Sequence, residues 1–194
     1  MLAIAAPLAL AACAHPGFAP APGDPAIFEI AGRIAMRFRD EAASGNLSWR
    51  HSAHGDELLL TTSLGQGVAR IVRDRDTVVL TTSDEREYRA ADAETLTEQV
   101  LGFRLPLGGL ADWVRARPST ESPAVAEYAH DGRMLTLEQR GWRIEYLDYS
   151  GALPSRLRLT YPGLELRLAI SEWRTVGERA AGRAPASAME PERR

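Results

Sequence analysis

The residue best placed to do chemistry is Cys13, the one cysteine in the chain. It follows Leu10, Ala11 and Ala12, with an apolar run from Leu2 to Leu10 ahead of it. Small residues at the two positions before a cysteine, after such a run, match a bacterial lipobox. The chemistry implied is attachment of a diacylglycerol through the sulfur, cleavage of the peptide bond before Cys13, and acylation of the new amine. An isolated cysteine is more often a small buried hydrophobe, but its place in this pattern favours the anchor. The apolar run falls well short of the roughly 20 residues a spanning helix needs, and without a second cysteine no intrachain disulfide can form. Residues 1 to 12 are read as a signal peptide. No arginine precedes Arg33, a departure from the basic opening of a secretory signal that leaves the translation start open. One acyl chain, at about 0.8 kcal/mol per buried CH₂, binds a membrane reversibly, whereas two or more hold firmly.

The other reactive side chains do not assemble into a familiar centre. His15, His51, His54 and His130 lack HExxH or Cys/His spacing, so no metal is expected and no cofactor beyond the covalent lipid on Cys13. Ser63-Leu64-Gly65 is not a nucleophile elbow, and no Gly-rich phosphate loop of the Walker type occurs. His51 with His54, and the carboxylates Asp56, Glu57, Asp84 and Glu85, are read as solvated turn residues. No catalytic activity is expected. All 23 basic residues are arginine, interleaved with 26 carboxylates for a formal charge of -3. That scatter argues against nucleic acid as a partner, which calls for a basic stripe.

A chain of 194 residues, 45% hydrophobic, suffices for one domain with a core of its own. Residues 13 to 26, rich in Pro, Ala and Gly, are read as the lipidated N-terminus and a flexible tether. Residues 175 to 194 have no apolar face and are expected to be a disordered tail. Between them, from 27 to 174, the rhythm is mostly period two. Phe28, Ile30, Ile34, Met36 and Phe38 alternate with Glu29, Arg33 and Arg37, as a half-buried strand requires. The pattern recurs at Leu47 and Trp49, at Leu58 and Leu60, over Val68 to Val72 and over Thr77 to Thr82. It returns over Val125 to Ala129, Met134 to Arg140, Trp142 to Tyr149, Leu153 to Tyr161 and Leu164 to Trp173. Connections this short, with turn signals at Asp131-Gly132 and Pro162-Gly163, call for antiparallel pairing. In the middle the period lengthens. Asp92 reads as an N-cap ahead of Leu96, Val100 and Leu101, with Gly102 ending the helix. A second helix is expected from Pro106, carrying Leu107, Leu110, Trp113 and Val114, with Pro118 closing it. The fold class is therefore mainly β: about ten or eleven strands in a strongly curved sheet or open barrel, with helices inserted between its halves to cover the concave face.

Seven segments, in order, resemble the outer-membrane lipoprotein receptor LolB family. They are Gly32-Arg33-Ile34-Ala35, Ser44-Gly45-Asn46-Leu47-Ser48-Trp49, Ser63-Leu64-Gly65-Gln66, Tyr88-Arg89-Ala90-Ala91-Asp92-Ala93-Glu94, Leu101-Gly102-Phe103-Arg104-Leu105-Pro106-Leu107, Leu110-Ala111-Asp112-Trp113 and Gln139-Arg140-Gly141-Trp142-Arg143-Ile144-Glu145-Tyr146. The resemblance implies an unclosed antiparallel β-barrel with a helical lid. It also implies a monomeric receptor that accepts triacylated lipoproteins from a LolA-like periplasmic carrier and places them in the outer membrane without nucleotide hydrolysis. Its partners would be that carrier, lipoprotein acyl chains and outer-membrane lipid. Ala14, where Asp would signal inner-membrane retention, fits an outer-membrane anchor with the domain facing the periplasm, by resemblance to Gram-negative lipoproteins in general.

The same resemblance gives Leu64, flanked by Ser63 and Gly65, the part of a protruding leucine that acts in membrane insertion; Ser63 stands where the family commonly has proline. For an acyl-chain cavity the inward-facing residues are Ile34, Met36, Trp49, Leu58, Leu60, Val100, Trp113, Leu137, Trp142, Tyr146 and Leu166, each of which also suits an ordinary core. Two other readings remain open: a static lipoprotein that binds a free lipid or acyl ligand, and a membrane-lipid esterase, disfavoured by the missing nucleophile motif. Replacing the anchor, Cys13→Ala, is expected to move the protein from the membrane to the soluble fraction and to remove the lipid mass increment. Fractionation with intact-mass spectrometry checks both.

Overall fold

The computed structural model describes residues 25–175. Cys13 with its expected lipobox, the expected tether up to residue 24 and the expected tail from residue 176 lie outside the described residues, while Ala26 and Thr175, read with tether and tail, belong to the first and last strands. Eleven strands run in chain order as β1 (Ala26–Phe38), β2 (Glu41–Ser52), β3 (Gly55–Thr61), β4 (Gly67–Asp74), β5 (Thr77–Thr82), β6 (Glu87–Ala90), β7 (Ala124–Tyr128), β8 (Met134–Gln139), β9 (Trp142–Ser150), β10 (Leu153–Tyr161) and β11 (Leu164–Thr175). Helices α1 (Ala93–Leu101) and α2 (Leu107–Trp113) fall between β6 and β7.

All the strands belong to one sheet, ordered β6-β5-β4-β3-β2-β1-β11-β10-β9-β8-β7. Each half is a meander of hairpins, and the halves meet where the first strand pairs with the last. β1 and β11 are matched antiparallel from Phe28 opposite Thr175 to Phe38 opposite Leu164, with one bulge between Ala31 and Gly32. At that bulge the strands approach so closely that a Cβ on Gly32 would lie 2.1 Å from the Ala169 carbonyl oxygen. Only glycine fits there. The outer strands β6 and β7 do not pair with each other, so the sheet is an open barrel.

Alternation assigns the faces as the sequence predicts. Phe28 and Ile30 of β1, Leu47 and Trp49 of β2, Leu157 and Leu159 of β10, and Leu164, Leu166, Leu168 and Ile170 of β11 all join one core. That core continues into Leu96 of α1 and Leu107, Leu110 and Trp113 of α2, so the described residues close a hydrophobic interior among themselves. The helix signals hold as well. The Asp92 side chain accepts from Thr95 N at 2.7 Å, and Gly102 ends α1 in the left-handed region at φ 80°, where a Cβ would be strained. The last turn after α2 ends before Pro118, with Ala116 N donating to the Trp113 carbonyl.

One expectation is overturned. His51 and Asp56 are not solvated turn residues, and neither is Glu57: all three are buried. The β2–β3 turn is made by Ala53 and His54 alone, and the register sets His51 directly opposite Asp56. His51 Nδ1 lies 2.7 Å from Asp56 Oδ1, which also accepts from Trp49 Nε1 at 2.9 Å. On the far side, Arg73 Nε donates to Oδ2 at 2.6 Å. Glu57 pairs with Arg70, whose Nε donates at 3.0 Å. Burial alone would raise the Asp56 carboxyl, but His51, Arg73 and the Trp49 indole outweigh it and hold it below the ordinary 3.8.

A carboxyl lowered in the folded state contributes stability that is complete above its unfolded value of 3.8 and is lost as pH falls through the lower folded value. Asp56→Asn is therefore expected to flatten that acid limb. It also leaves Arg73 without its buried counter-charge, at a cost of about 3 kcal/mol near neutral pH. Urea unfolding followed by tryptophan fluorescence, at neutral pH and in acid, measures both effects.

Candidate functional site

The β6–β7 connection has to travel from one edge of the sheet to the other, and α1 and α2 lie on that path. Both are amphipathic, so they lay their apolar sides against the concave face of the sheet. Trp113, at the end of α2, is the largest side chain with no exposed surface. Its indole sits 6.0 Å from that of Trp142, which in turn stacks on Tyr161 at 5.1 Å.

A small set of polar groups pins this apolar lid. Gln139, at an inward position of β8, accepts from Trp113 Nε1 at 2.8 Å and from Ser119 N at 2.9 Å. Its amide donates to the carbonyls of Ser119 at 2.7 Å and Ser122 at 2.6 Å. Tyr146 Oη donates to the Trp113 carbonyl at 2.8 Å, and burial raises its pKa, keeping the phenol a neutral donor. Thr97, also enclosed, accepts from Leu105 N at 2.9 Å and donates to the Ala93 carbonyl at 2.8 Å. The loop between the helices is thereby folded back onto α1. Gln139, Ser119 and Thr97 were missed in the sequence. Gln139 alone left a signal there, as a polar residue with the parity of Leu137.

Of the eleven residues expected to face a cavity, Trp49, Leu58, Trp113, Leu137, Trp142, Tyr146 and Leu166 are buried in the common core. Ile34, Met36, Leu60 and Val100 are half-buried and pack against it. The structure thus brings all eleven together and divides them by depth. Phe38 is half-buried like the shallower four and packs against the same core, with its ring 5.3 Å from Phe103 in the α1–α2 loop. With the helices seated, the deeper seven serve as packed core.

Leu64 stands apart from this interior. It is 87% exposed at the β3–β4 turn, with Ser63 and Gly65 also exposed. The turn holding it is well bonded. Thr62 N donates to the Gln66 carbonyl at 2.8 Å and Gly65 N to the Thr62 carbonyl at 2.9 Å. Gln66 N also reaches Thr62 Oγ1 at 3.2 Å, and Asn46 Nδ2 on β2 donates to the Thr62 carbonyl at 3.0 Å. Gly65, at φ 84°, completes the turn in a conformation that other residues adopt at a cost. The hydrogen bonds restrain the backbone although Ser63 is not proline. Among the described residues, no group of three or more His, Cys, Asp or Glu is placed to hold a metal ion.

Comparison with known proteins covers nearly all of this architecture. A family model described as outer membrane lipoprotein LolB matches residues 26–173. The outer-membrane lipoprotein LolB of Thiobacillus denitrificans is 41% identical over 148 residues, covering 76% of this chain and 80% of that protein. Its counterpart in Nitrosomonas europaea is 37% identical over 161 residues, covering 80% and 75%. The one in an Azoarcus species is 35% identical over 150 residues, covering 75% and 77%.

Gln139→Leu removes four hydrogen bonds at once and takes their partner from the buried Trp113 indole and Ser119 amide, the Ser119 carbonyl and the half-buried Ser122 carbonyl. Several unsatisfied groups at roughly 1–3 kcal/mol each should destabilise the protein by about 3 kcal/mol or more, with faster amide exchange in α2. Chemical denaturation and hydrogen exchange read the two effects separately.

Proposed function

The chain belongs to the outer membrane lipoprotein LolB family, and from that premise we propose that it is an outer-membrane receptor for lipoproteins in transit. Anchored through Cys13, it takes triacylated cargo from a LolA-like periplasmic carrier, shelters the acyl chains beneath its helices and releases them into the membrane. The observation that carries this reading is the pairing of an apolar interior, closed by a separately pinned lid, with a nearly bare leucine on a braced turn.

Physical chemistry makes such a device necessary. Each acyl CH₂ exposed to water costs about 0.8 kcal/mol, so three chains free in the periplasm would cost tens of kcal/mol. Cargo must pass from one sheltered place to the next. With no nucleotide hydrolysed, the direction of transfer comes from rising affinity, from carrier to receptor to bilayer. The half-buried end near Ile34, Met36, Leu60 and Val100 is the natural mouth. The incoming chain takes the place of Trp113 and the other lid side chains against the sheet, exchanging one apolar contact for another. Opening therefore costs mainly the hydrogen bonds at Gln139 and Tyr146, each about 1 kcal/mol net. Leu64 sits at the turn following β3, the strand that carries Leu60, and contributes about 1.5–3 kcal/mol when it enters hydrocarbon. That is enough to touch a bilayer and too little to remain in it. Nothing in this scheme is a covalent reaction, and the protein acts as a receptor rather than an enzyme.

The decisive experiment mixes carrier loaded with labelled lipoprotein, the chain from Ala14 onward, and liposomes, and counts cargo in all three places. Native protein is expected to take cargo from the carrier and deliver it. Leu64→Glu is expected to accept cargo at the native rate and to deliver it at least about tenfold more slowly, as loss of one buried leucine implies. If cargo reaches the protein but never the liposomes even with native Leu64, the chain is a static acyl-binding lipoprotein. Cargo that stays on the carrier while the protein is folded sinks the receptor reading altogether.

A further inference from the structure

The convex face of the sheet is for the most part neutralised across its strands. Arg143 faces Glu138, Arg158 faces Glu145 at 3.3 Å, and Arg70 pairs diagonally with Glu57. One stretch departs from this. Beyond the Gly32 bulge, β1 turns Arg33, Ala35 and Arg37 outward while Ile34 and Met36 pack inward. The register sets Arg33 opposite Ala169 and Ala35 opposite Arg167, and Ala169 in turn opposite Arg156. On the other flank Ala35 faces Ser44 and Arg37 faces Ala42 of β2. Small residues thus alternate with arginines, leaving hollows between the guanidinium groups. One, of about 350 Å³, has Arg33, Arg156 and Arg167 on its walls. A neighbouring one, of about 250 Å³, adds Arg37 and Glu165, which lie opposite each other in the register, and shares Ala35, Ser44 and Arg167.

The charges there are not balanced. Arg167 pairs with Glu165 at 2.8 Å, whereas Arg33, Arg37 and Arg156 make no ion pair with any described residue. Asp148, opposite Arg156 in the register, instead accepts from Tyr149 N at 2.8 Å. Unmatched guanidinium groups select oxyanions, phosphate above all. Their spacing narrows the choice further. Arg33 and Arg156 are two strands apart and Arg33 and Arg37 four residues apart, so the cations are spread over about 10–13 Å instead of converging on one ion. Such a field matches a surface bearing many phosphates. The larger hollow also has Ser63 in its wall, the residue before Leu64, so the charged field adjoins the braced turn.

We propose that this arginine-lined stretch of the convex face docks on the anionic phospholipid headgroups of a bilayer and sets the orientation in which Leu64 enters it. The inference rests on the reading of Leu64 as a membrane probe and adds a second, electrostatic contact to it. The leucine supplies depth and the arginines supply orientation and residence at the surface.

The test measures co-sedimentation of the chain from Ala14 to Arg194 with vesicles of phosphatidylcholine alone and of phosphatidylcholine mixed with phosphatidylglycerol. Each arginine near an anionic surface contributes about fivefold in affinity, so joint replacement of Arg33, Arg37 and Arg156 by Gln should weaken binding to the mixed vesicles roughly 100-fold. Binding to neutral vesicles should not change. Arg75→Gln, in the distant β4–β5 turn, should have no effect. Native protein provides a check independent of any variant, because added salt should erode its preference for mixed vesicles. The proposal is overturned if the triple variant binds mixed vesicles like the native chain, if it loses equally on both, or if the native preference ignores salt. It also fails if inorganic phosphate displaces the native protein, since that points to an ion site. Leu64→Glu is run alongside. Should it leave vesicle binding intact while the triple variant loses the anionic preference, the membrane-probe reading falls and the charged surface stands. Cargo transfer from the carrier is scored separately, so failure of the receptor reading is seen there and not in the vesicle binding.

Discussion

Pairing of the first strand with the last is the constraint on which the rest of the molecule depends. Because β1 and β11 lie side by side at the centre, the chain is committed to two meanders that fan out in opposite directions. Their free ends, β6 and β7, become the far edges of the sheet. The connection between those edges must then cross the face of the sheet, and the apolar concave side is the one that rewards burial. The lid is therefore a product of strand order. The Gly32 bulge serves the same join, since it lets the two strands meet closely.

The lid is held by two kinds of force with different consequences. Apolar contact among Trp113, Trp142, Leu137 and their neighbours is large but non-directional, and another hydrocarbon can replace it without net loss. The hydrogen bonds around Gln139, Tyr146 and Thr97 are few and specific, and they define the closed position. The cluster of His51, Asp56, Trp49 and Arg73 is of another kind: it ties β2, β3 and β4 together through one carboxylate. Scaffold and cover thus use separate sets of polar groups.

Much of this was legible in the sequence because an open sheet with one buried face records itself as alternation. The expected bounds of β5 and β10 coincide with those observed, and Asp92 and Gly102 marked the ends of α1 by cap chemistry. Strand β6 escaped because Glu87-Tyr88-Arg89-Ala90 lies at an edge with no deeply buried position to set a rhythm. The first half of β2 escaped for a related reason, since Glu41 to Ser44 are small or polar and exposed and Gly45 has no side chain, so no apolar alternation marks them. The misreading of Asp56 has a sharper cause. His54-Gly55-Asp56 is a turn signal, but the turn closes at His54, two residues earlier than the composition implies, and that shift decides whether the carboxylate meets water or His51. All the residues chosen for the cavity fall in one cluster, and Leu64 is as exposed as its loop position predicted. The polar pins and the unpaired arginines depend on cross-strand register, which periodicity along a single chain does not reveal.

An open barrel carries a hazard that a closed one avoids, because each free margin offers unpaired backbone groups to any passing strand. Here the margins are blunted by their own brevity: β6 has four residues and β7 five, and β7 breaks register between Glu127 and Tyr128. Pro123, just before β7, also withholds one amide. A sheet trimmed in this way can remain unclosed without recruiting copies of itself into a growing ribbon. Its open margin is thereby kept from becoming a template for aggregation.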